Sequence, residues 1–307
     1  MCMDYSILEP LIRESRNQCN EGKVASYIPE LSKVSGDLLG ITVHEVGKDP
    51  VTAGECMPKF TLQSISKVFA LLLALIDRGE QQVFEKVGME PTGDMYNSLM
   101  KLEIVTPGKP FNPMINAGAI TVTSFIEGDN VNERFERILS FIQKLSGDDS
   151  IYYNEKVYHS ENHTAHRNRA LAHLLKDNGI LEGDVEEHLE VYFKQCAIET
   201  SCTNLARMGM ILANGGKDPE TSEQLIPKRY VQIAKTFMIT CGMYNASGEF
   251  AIEAGIPAKS GVSGGILAVA PNMGIGVIGP ALDRKGNSIA GIRLLTRLSE
   301  EWDLTIF

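Results

Sequence analysis

The chain lacks the features that would direct it to a membrane, to nucleic acid or to a disulfide scaffold. Its 307 residues carry 29 Lys plus Arg against 39 Asp plus Glu, a formal net charge of −10. That balance argues against a nucleic-acid or anionic-membrane partner, since either calls for a clustered basic surface. The longest strongly apolar run covers residues 68–76, too short for a bilayer that needs about 20 residues. No basic segment followed by an apolar run opens the chain, so no secretory signal is expected. The six cysteines, Cys2, Cys19, Cys56, Cys196, Cys202 and Cys241, are scattered without a CxxC pair. Free thiols in a reducing cytoplasm are the expectation. Sequons at Asn162 and Asn245 then carry no weight. No low-complexity tract, long linker or obvious repeat is visible. A chain of this length buries roughly three-quarters of its unfolded surface and needs no metal or disulfide staple.

What is present reads as one large domain or two linked ones. The expected elements begin with a helix over residues 4–20 and a strand over 39–46. A short strand-like piece at 60–62 then runs into a helix over 64–78. Apolar residues at three- and four-residue spacing predict helices over 132–145, 162–176, 185–196 and 203–213. Another follows Pro227 and runs to about residue 240. The bursts at 266–270 and 275–278 read as a buried hairpin around Pro271 and Asn272, and 288–302 as an amphipathic helix. Strands thus lie at both ends and helices between them. The expected fold is α/β of the α+β type: an antiparallel sheet flanked by terminal helices, with an inserted all-helical domain. Its boundaries would be 1–60 with 220–307 for the sheet and 61–219 for the insert, with an active site at the junction.

Several spellings suggest chemistry, and most dissolve on inspection. Gly274, Gly276 and Gly279 spell GxGxxG, but lie inside a strand-like run followed by Pro280, so glycines in a buried strand are the simpler reading. Gly261, Ser263 and Gly265 spell GxSxG. A nucleophile elbow needs a following helix and a later His, and the last His is His188. His159, Glu161, His163 and His166 cluster without any HExxH spacing, and a hydrophilic helix start explains them better than metal.

SxxK occurs at Ser64–Lys67 and again at Ser98–Lys101. The spelling alone is worth little, so context decides. Ser64 sits where a strand-like piece meets a helix apolar nearly all round. A helix N-terminus favours developing negative charge. Lys67 lies one turn on, where burial lowers an amine's pKa toward base function. A serine cap beside a surface lysine remains the plain alternative. Lys259-Ser260-Gly261 before the hairpin is the second signature of penicillin-binding and class A β-lactamase folds. The two in this order, separated by helices, are much more specific than either.

Taken with Phe60-Thr-Leu-Gln-Ser-Ile-Ser-Lys67, Asn112-Pro-Met-Ile-Asn-Ala-Gly-Ala-Ile120, Ser160-Glu161, Arg167-Asn168, Cys241-Gly-Met-Tyr244 and Pro257-Ala-Lys-Ser-Gly-Val-Ser-Gly-Gly-Ile266, the chain resembles bacterial serine-dependent glutaminases. Their catalytic domain resembles the β-lactamase and transpeptidase fold. The resemblance runs from Tyr27 to Gly291. It implies hydrolysis of L-glutamine to L-glutamate and ammonia, without cofactor or metal, through a γ-glutamyl ester on Ser64. Lys67 would be the base, Tyr244 with Tyr192 nearby would complete the proton relay, and backbone N–H groups of Ser64 and Val262 would hold the oxyanion. Tyr27, Gln63, Asn116, Glu161, Asn168, Tyr192 and Tyr244 would bind the amino acid. A cytoplasmic homodimer or homotetramer is implied. The chemistry of the residues agrees. Glutamine carries an ammonium and a carboxylate, and a site must pair both. Glu161 suits the ammonium; Asn116, Asn168 and Tyr27 suit the carboxylate. Singly, each has a plainer reading: Asn116 as a turn residue before Gly118, Tyr27 as a packed aromatic, Glu161 as a helix-start acid. Glu161 and Asn168 are seven apart and on one helix would share a face. A β-lactamase-like or peptidase acyl hydrolase is the rival reading.

Overall fold

The computed structural model describes residues 3–93, 97–98 and 109–307. Its centre is a five-stranded antiparallel sheet built from β1 (Gly40–Glu45), β2 (Val51–Gly54), β5 (Ala258–Ser260), β6 (Gly265–Ala270) and β7 (Met273–Ile278), in the order β2-β1-β7-β6-β5. The strands from the two ends of the chain meet where Gly40 pairs with Ile278 and Glu45 with Met273. The β6–β7 hairpin turns at Pro271 and Asn272, and Asn272 takes the left-handed conformation (φ 60°) that asparagine tolerates in tight turns.

Alternation along the strands splits the core. Ile41, Val43, Ile266, Ala268, Ile275 and Val277 face one side. There they meet the terminal helices α1 (Leu8–Arg16) and α11 (Ile289–Trp302), which also pack on each other. Leu267 and Val269 face the other core. That side of the sheet is covered by α8 (Cys202–Ala213), packed on β7, β1 and β6. The GxGxxG spelling is explained here. A Cβ at Gly274 would sit 2.0 Å from Met210 N and 2.1 Å from Ala206 O; one at Gly276 would sit 2.2 Å from Cys202 O. These glycines let a helix backbone lie directly on a strand backbone, with no dinucleotide involved.

Between β1–β2 and β5 the chain is mostly helical: α2 (Ser66–Lys86), α3 (Asn116–Ser124), α4 (Val131–Ser146), α5 (Glu155–Thr164), α6 (His166–Asp177), α7 (Val185–Cys196), α8 and α9 (Lys228–Cys241), with α10 (Ser247–Glu253) after it. The 60–62 piece does not join the main sheet. It forms β3 (Phe60–Thr61), paired with β4 (Glu199–Thr200) in a separate two-stranded ribbon, so the helical stretch carries a small sheet of its own. Asn130, Asn154, Asp184 and Ser201 cap α4, α5, α7 and α8 through their side chains.

Three expected helices differ from their sequence reading. The 4–20 helix is α1 between two short 3-10 turns, Tyr5–Ile7 and Asn17–Glu21. The helix expected from 64 begins at Ser66, after a 3-10 turn over Gln63–Ile65, and is interrupted at Gly79 (φ 77°, ψ 166°). The single helix over 162–176 is instead two, α5 and α6, parted at Ala165. The end of α5 is held by other partners: Thr164 Oγ1 donates to Ser160 O at 3.0 Å, and Arg169 donates to the Asn162 carbonyl at 2.6 Å.

The helix-on-strand contact gives a direct test. Gly274→Ala is expected to destabilise the fold by about 3 kcal/mol, because backbone rather than a flexible side chain blocks the methyl. Urea denaturation measures it. A midpoint equal to the parent's would mean that α8 does not bear on β7 as described.

Candidate active site

The apolar helix α2 sets the floor of the site. Val68, Phe69, Leu71, Leu72, Leu73 and Leu75 are all buried in its first half, each contributing about 1.5–3 kcal/mol of transfer free energy. That burial drags Lys67 inside, where it is 1% exposed. Its Nζ donates to Asn116 Oδ1 at 2.7 Å and to Met114 O at 3.1 Å. Asn116 Nδ2 in turn donates to Asn168 Oδ1 at 2.9 Å. Burial depresses the Lys67 pKa to about 8, against opposing pulls from Cys196 and Glu161. Both of its hydrogen bonds leave Ser64 aside; among the described residues none joins the two side chains.

Ser64 lies in the 3-10 turn ahead of α2, next to a strained residue. Gln63 adopts φ 47°, a conformation uncommon outside glycine. Its amide donates to Thr61 Oγ1 (3.3 Å) and to Cys196 O (3.4 Å), while its own carbonyl accepts from Ser66 Oγ (2.7 Å). Such strain persists where the surroundings over-determine the backbone. Here the turn is wedged against α7, β5 and β6.

Above the floor is a pocket of about 320 Å³. Gln63, Ser64, Asn116, Glu161, Asn168, Tyr192 and, at the rim, Tyr27 all line it. Tyr27 is 53% exposed. The residues arrive on five different elements. Asn116 opens α3, Asn168 lies in the first turn of α6, Glu161 on α5, and Tyr192 with Cys196 one turn on along α7. The expectation that Glu161 and Asn168 share one helix face is therefore replaced: the break at Ala165 brings them together from two helices. The first turns of α3 and α6 reach the pocket through Asn116, Arg167 and Asn168, and a helix start favours negative charge.

The electrostatics are dominated by burial. Glu161 is buried, and its Oε2 has no hydrogen-bond partner among the described residues. Desolvation raises its pKa to about 7, opposed by the Lys67 charge and a hydrogen bond from Gln63. Burial also pushes the Tyr192 phenol and the Cys196 thiol well up, so both stay protonated near neutrality.

Tyr244 and Val262 sit on the other side, lining an adjoining pocket of about 630 Å³ that shares Tyr27 with the first. Tyr244 also has a left-handed backbone (φ 51°). It follows Gly242, where a Cβ would lie 1.8 Å from Ala258 O; only glycine lets the end of α9 approach β5 so closely. Lys259 closes that contact. It is fully buried, donates to Gly242 O (3.0 Å) and Ser260 O (2.6 Å), and holds its Nζ 4.4 Å from the Tyr244 ring centroid. Val262 belongs to the loop between β5 and β6, where Gly261 crowds the Leu62 carbonyl just ahead of Ser64. Ser263 lies in this loop, followed by a strand.

Sequence reasoning missed the Met114 carbonyl. The signal was available: Asn112 before Pro113 makes a side-chain turn, its Oδ1 accepting from Met114 N (3.0 Å) and Ile115 N (3.2 Å). It also missed Cys196, Arg167 and Ala165 as lining residues. Lys101 of the second SxxK falls outside the described residues. Among the described residues no three His, Cys, Asp or Glu side chains come together as metal ligands.

Comparison with known proteins bears on the whole chain. The family described as Glutaminase matches residues 22–307. A glutaminase of Alkaliphilus metalliredigens (strain QYMF) is 55% identical over 301 residues, covering 98% of this chain and 99% of that one. A crystal structure of a Bacillus glutaminase in the presence of 4.3 M NaCl superposes with a TM-score of 0.91 at 45% identity, covering 98% of each chain. A probable glutaminase from Bacillus subtilis complexed with 6-diazo-5-oxo-L-norleucine gives a TM-score of 0.90 at 43% identity, covering 100% of this chain and 98% of that one.

The raised Glu161 pKa has a consequence for stability. The folded state holds this proton up to about pH 7, whereas the unfolded chain releases it in the ordinary carboxylate range. Stability is therefore lost as pH rises through that window. Glu161→Gln removes the loss. The variant is expected to melt several degrees above the parent at pH 8 and level with it at pH 5. Calorimetry at the two pH values checks this, and a gain of equal size at both would show that Glu161 is not held as described.

Proposed function

The chain belongs to the glutaminase family, and on that premise we propose that Ser64 is its nucleophile and Lys67 its base. The reaction is hydrolysis of L-glutamine to L-glutamate and ammonia. One observation supports the residue assignment above the others: Ser64 and a buried Glu161 with an unpartnered oxygen line one small pocket, and Asn116 of the same pocket accepts from the buried Lys67 amine.

In this reading the α-ammonium of glutamine pairs with Glu161, supplying the charge partner that a buried carboxylate needs. The α-carboxylate meets Asn116, Asn168 and Tyr27, close to the starts of α3 and α6, where helix dipoles favour an anion. Gln63 and Tyr192 close the pocket around the side chain. Ser64 Oγ gives its proton to neutral Lys67 and bonds to the amide carbon. The backbone N–H groups of Ser64 and Val262 stabilise the oxyanion. The C–N bond breaks as a proton reaches the departing nitrogen through Tyr244, with Tyr192 beside the relay. Ammonia leaves a γ-glutamyl ester, which water opens along the same proton path to give glutamate and restore Ser64. Lys67 is suited to this role because burial leaves a useful fraction of it unprotonated near neutrality. Its hydrogen bond to Asn116 couples the base to the group that reads the substrate carboxylate.

The reading carries no cofactor. It describes a cytoplasmic homodimer or homotetramer, and among the described residues no helix is long and apolar enough to cross a membrane.

Two measurements test it. Ser64→Ala is expected to lose at least about 10³-fold in kcat with the fold intact, and to take up no mass on incubation with 6-diazo-5-oxo-L-norleucine while the parent gains one adduct. Ammonia release at the parent rate would end the assignment. The pH profile is the second. kcat/KM should climb between about pH 7 and pH 8, because Glu161 must ionise to bind the ammonium and Lys67 must lose its proton to act. Glu161→Gln should abolish the lower step and raise KM about 100-fold. A profile flat across this range, or an unchanged KM, would remove these two groups from their roles.

A further inference from the structure

The second pocket is much larger than glutamine hydrolysis requires. Only ammonia leaves on the side of Tyr244 and Val262, and a molecule of that size occupies roughly 30 Å³. The space bordered by Tyr244 and Val262 is about 630 Å³. It is also a fixed shape. Lys23 and Leu282 exchange two backbone hydrogen bonds of 3.0 Å, tying its walls together. Asn287 Nδ2 donates to Met243 O at 3.1 Å, tying the 283–287 loop to the turn that carries Tyr244. A Cβ at Gly286 would touch the edge of the Tyr244 ring at 3.6 Å, so loop and phenol lie side by side.

The charges of this pocket are unevenly matched. Lys285 is paired with Glu249 at 2.6 Å. Asp283 turns its Oδ1 to the backbone N–H groups of Lys285 (2.8 Å) and Asn287 (2.9 Å). Glu21 contributes one further carboxylate. Lys23 and Arg284 both line the pocket and are exposed, and among the described residues neither makes an ion pair. The aromatic faces of Tyr27 and Tyr244 with Val262 and Leu282 give the rest of the lining an apolar body.

We propose that this pocket is a leaving-group subsite, so that the enzyme also hydrolyses γ-glutamyl amides whose nitrogen carries an amino acid, with Lys23 and Arg284 receiving the carboxylate of that amino acid. The proposal rests on the reading of Ser64 and Tyr244 given above. The γ-glutamyl half occupies the first pocket as glutamine does, and the N-substituent crosses beside Tyr27 into the second. Ser64 Oγ bonds to the γ-carbonyl carbon, the C–N bond breaks, and the nitrogen takes the proton from Tyr244 and departs as the free amino acid. Water then opens the ester, giving glutamate. No oxidant, reductant or further reactant enters.

The test compares three substrates, L-glutamine, γ-L-glutamylglycine and γ-L-glutamylethylamide, on the full chain and on a Lys23→Ala/Arg284→Ala variant. Released amine is measured in each case. The parent is expected to cleave all three. The variant should lose about tenfold in kcat/KM for γ-glutamylglycine alone, the loss of charge-assisted hydrogen bonds to its carboxylate, and keep its rates on the other two, which lack that group. A parent that turns over glutamine but leaves γ-glutamylglycine intact overturns the subsite while leaving the glutaminase reading standing. A variant that loses nothing, or loses equally on all three, overturns the assignment of the two cations and the proposal with it. Failure of the parent on glutamine itself sinks the earlier reading, and the subsite falls with it.

Discussion

Holding an ammonium group inside an apolar helix layer is the constraint on which the rest depends. Bringing such an ion out of water costs several kcal/mol even after relaxation. The α2 side chains around Lys67 offset this, because that helix cannot turn its lysine outward without exposing its leucines. The cost is not cancelled inside the protein by a directly bonded carboxylate. Lys67 finds two neutral oxygens, on Met114 and Asn116, and its pKa falls accordingly. Glu161 is buried nearby with its pKa moved the opposite way. Two ionisable groups with converging pKa values share one small volume, and each is poised to change charge near neutrality. Such an arrangement is poor for stability and suited to acid–base chemistry.

Backbone strain concentrates around the same volume. Gln63 and Tyr244 are two of only five non-glycine residues with positive φ among those described; Gln63 lines the first pocket and Tyr244 the adjoining one. Both are pinned by contacts that look purely structural: Gln63 through Thr61 and Cys196, Tyr244 through the Gly242 turn and Lys259. The buried Lys259 of the Lys-Ser-Gly triplet thus lies against the Tyr244 ring while its amine donates to the carbonyls of Gly242 and Ser260, and Gly242 O also accepts the Ser260 backbone N–H at 3.1 Å.

Much of this was legible before any coordinates. The hairpin around Pro271 and Asn272, the strand at 39–46 and the helices after Asp184 and Ser201 could be read because each combines a strong period with a local stop or cap. The sheet's antiparallel character followed from strands at both ends. The long motifs bring Gln63, Ser64, Asn116, Glu161 and Asn168 to one pocket and Tyr244 and Val262 to the adjoining one. Less legible were features set by tertiary contact. The glycines of β7 read as strand glycines, yet their reason is the backbone of α8 lying across them. The 60–62 piece looks like any edge strand, and only Glu199 and Thr200 decide where it pairs. The break at Ala165 has no proline or glycine to announce it; it depends on Arg169 reaching back to Asn162. Lys67 could be read as buried, but its choice of Asn116 over Ser64 is a matter of ångströms, which periodicity does not carry.

The pairing of β1 with β7 has a kinetic meaning. These strands are neighbours in space and lie at nearly opposite ends of the chain, so joining them closes one very long loop, an expensive and slow step. The Ser64 turn leans on β5 and β6, which reach their places only through that same sheet. On a ribosome the helices of the middle segment have time to form first, as domains made during synthesis do. The lining of the first pocket ends at Cys196, whereas the adjoining pocket takes Val262 and Leu282 from the last fifty residues. A chain in which β5 and β6 have not yet joined the sheet therefore leaves the Ser64 turn without the two strands it packs against.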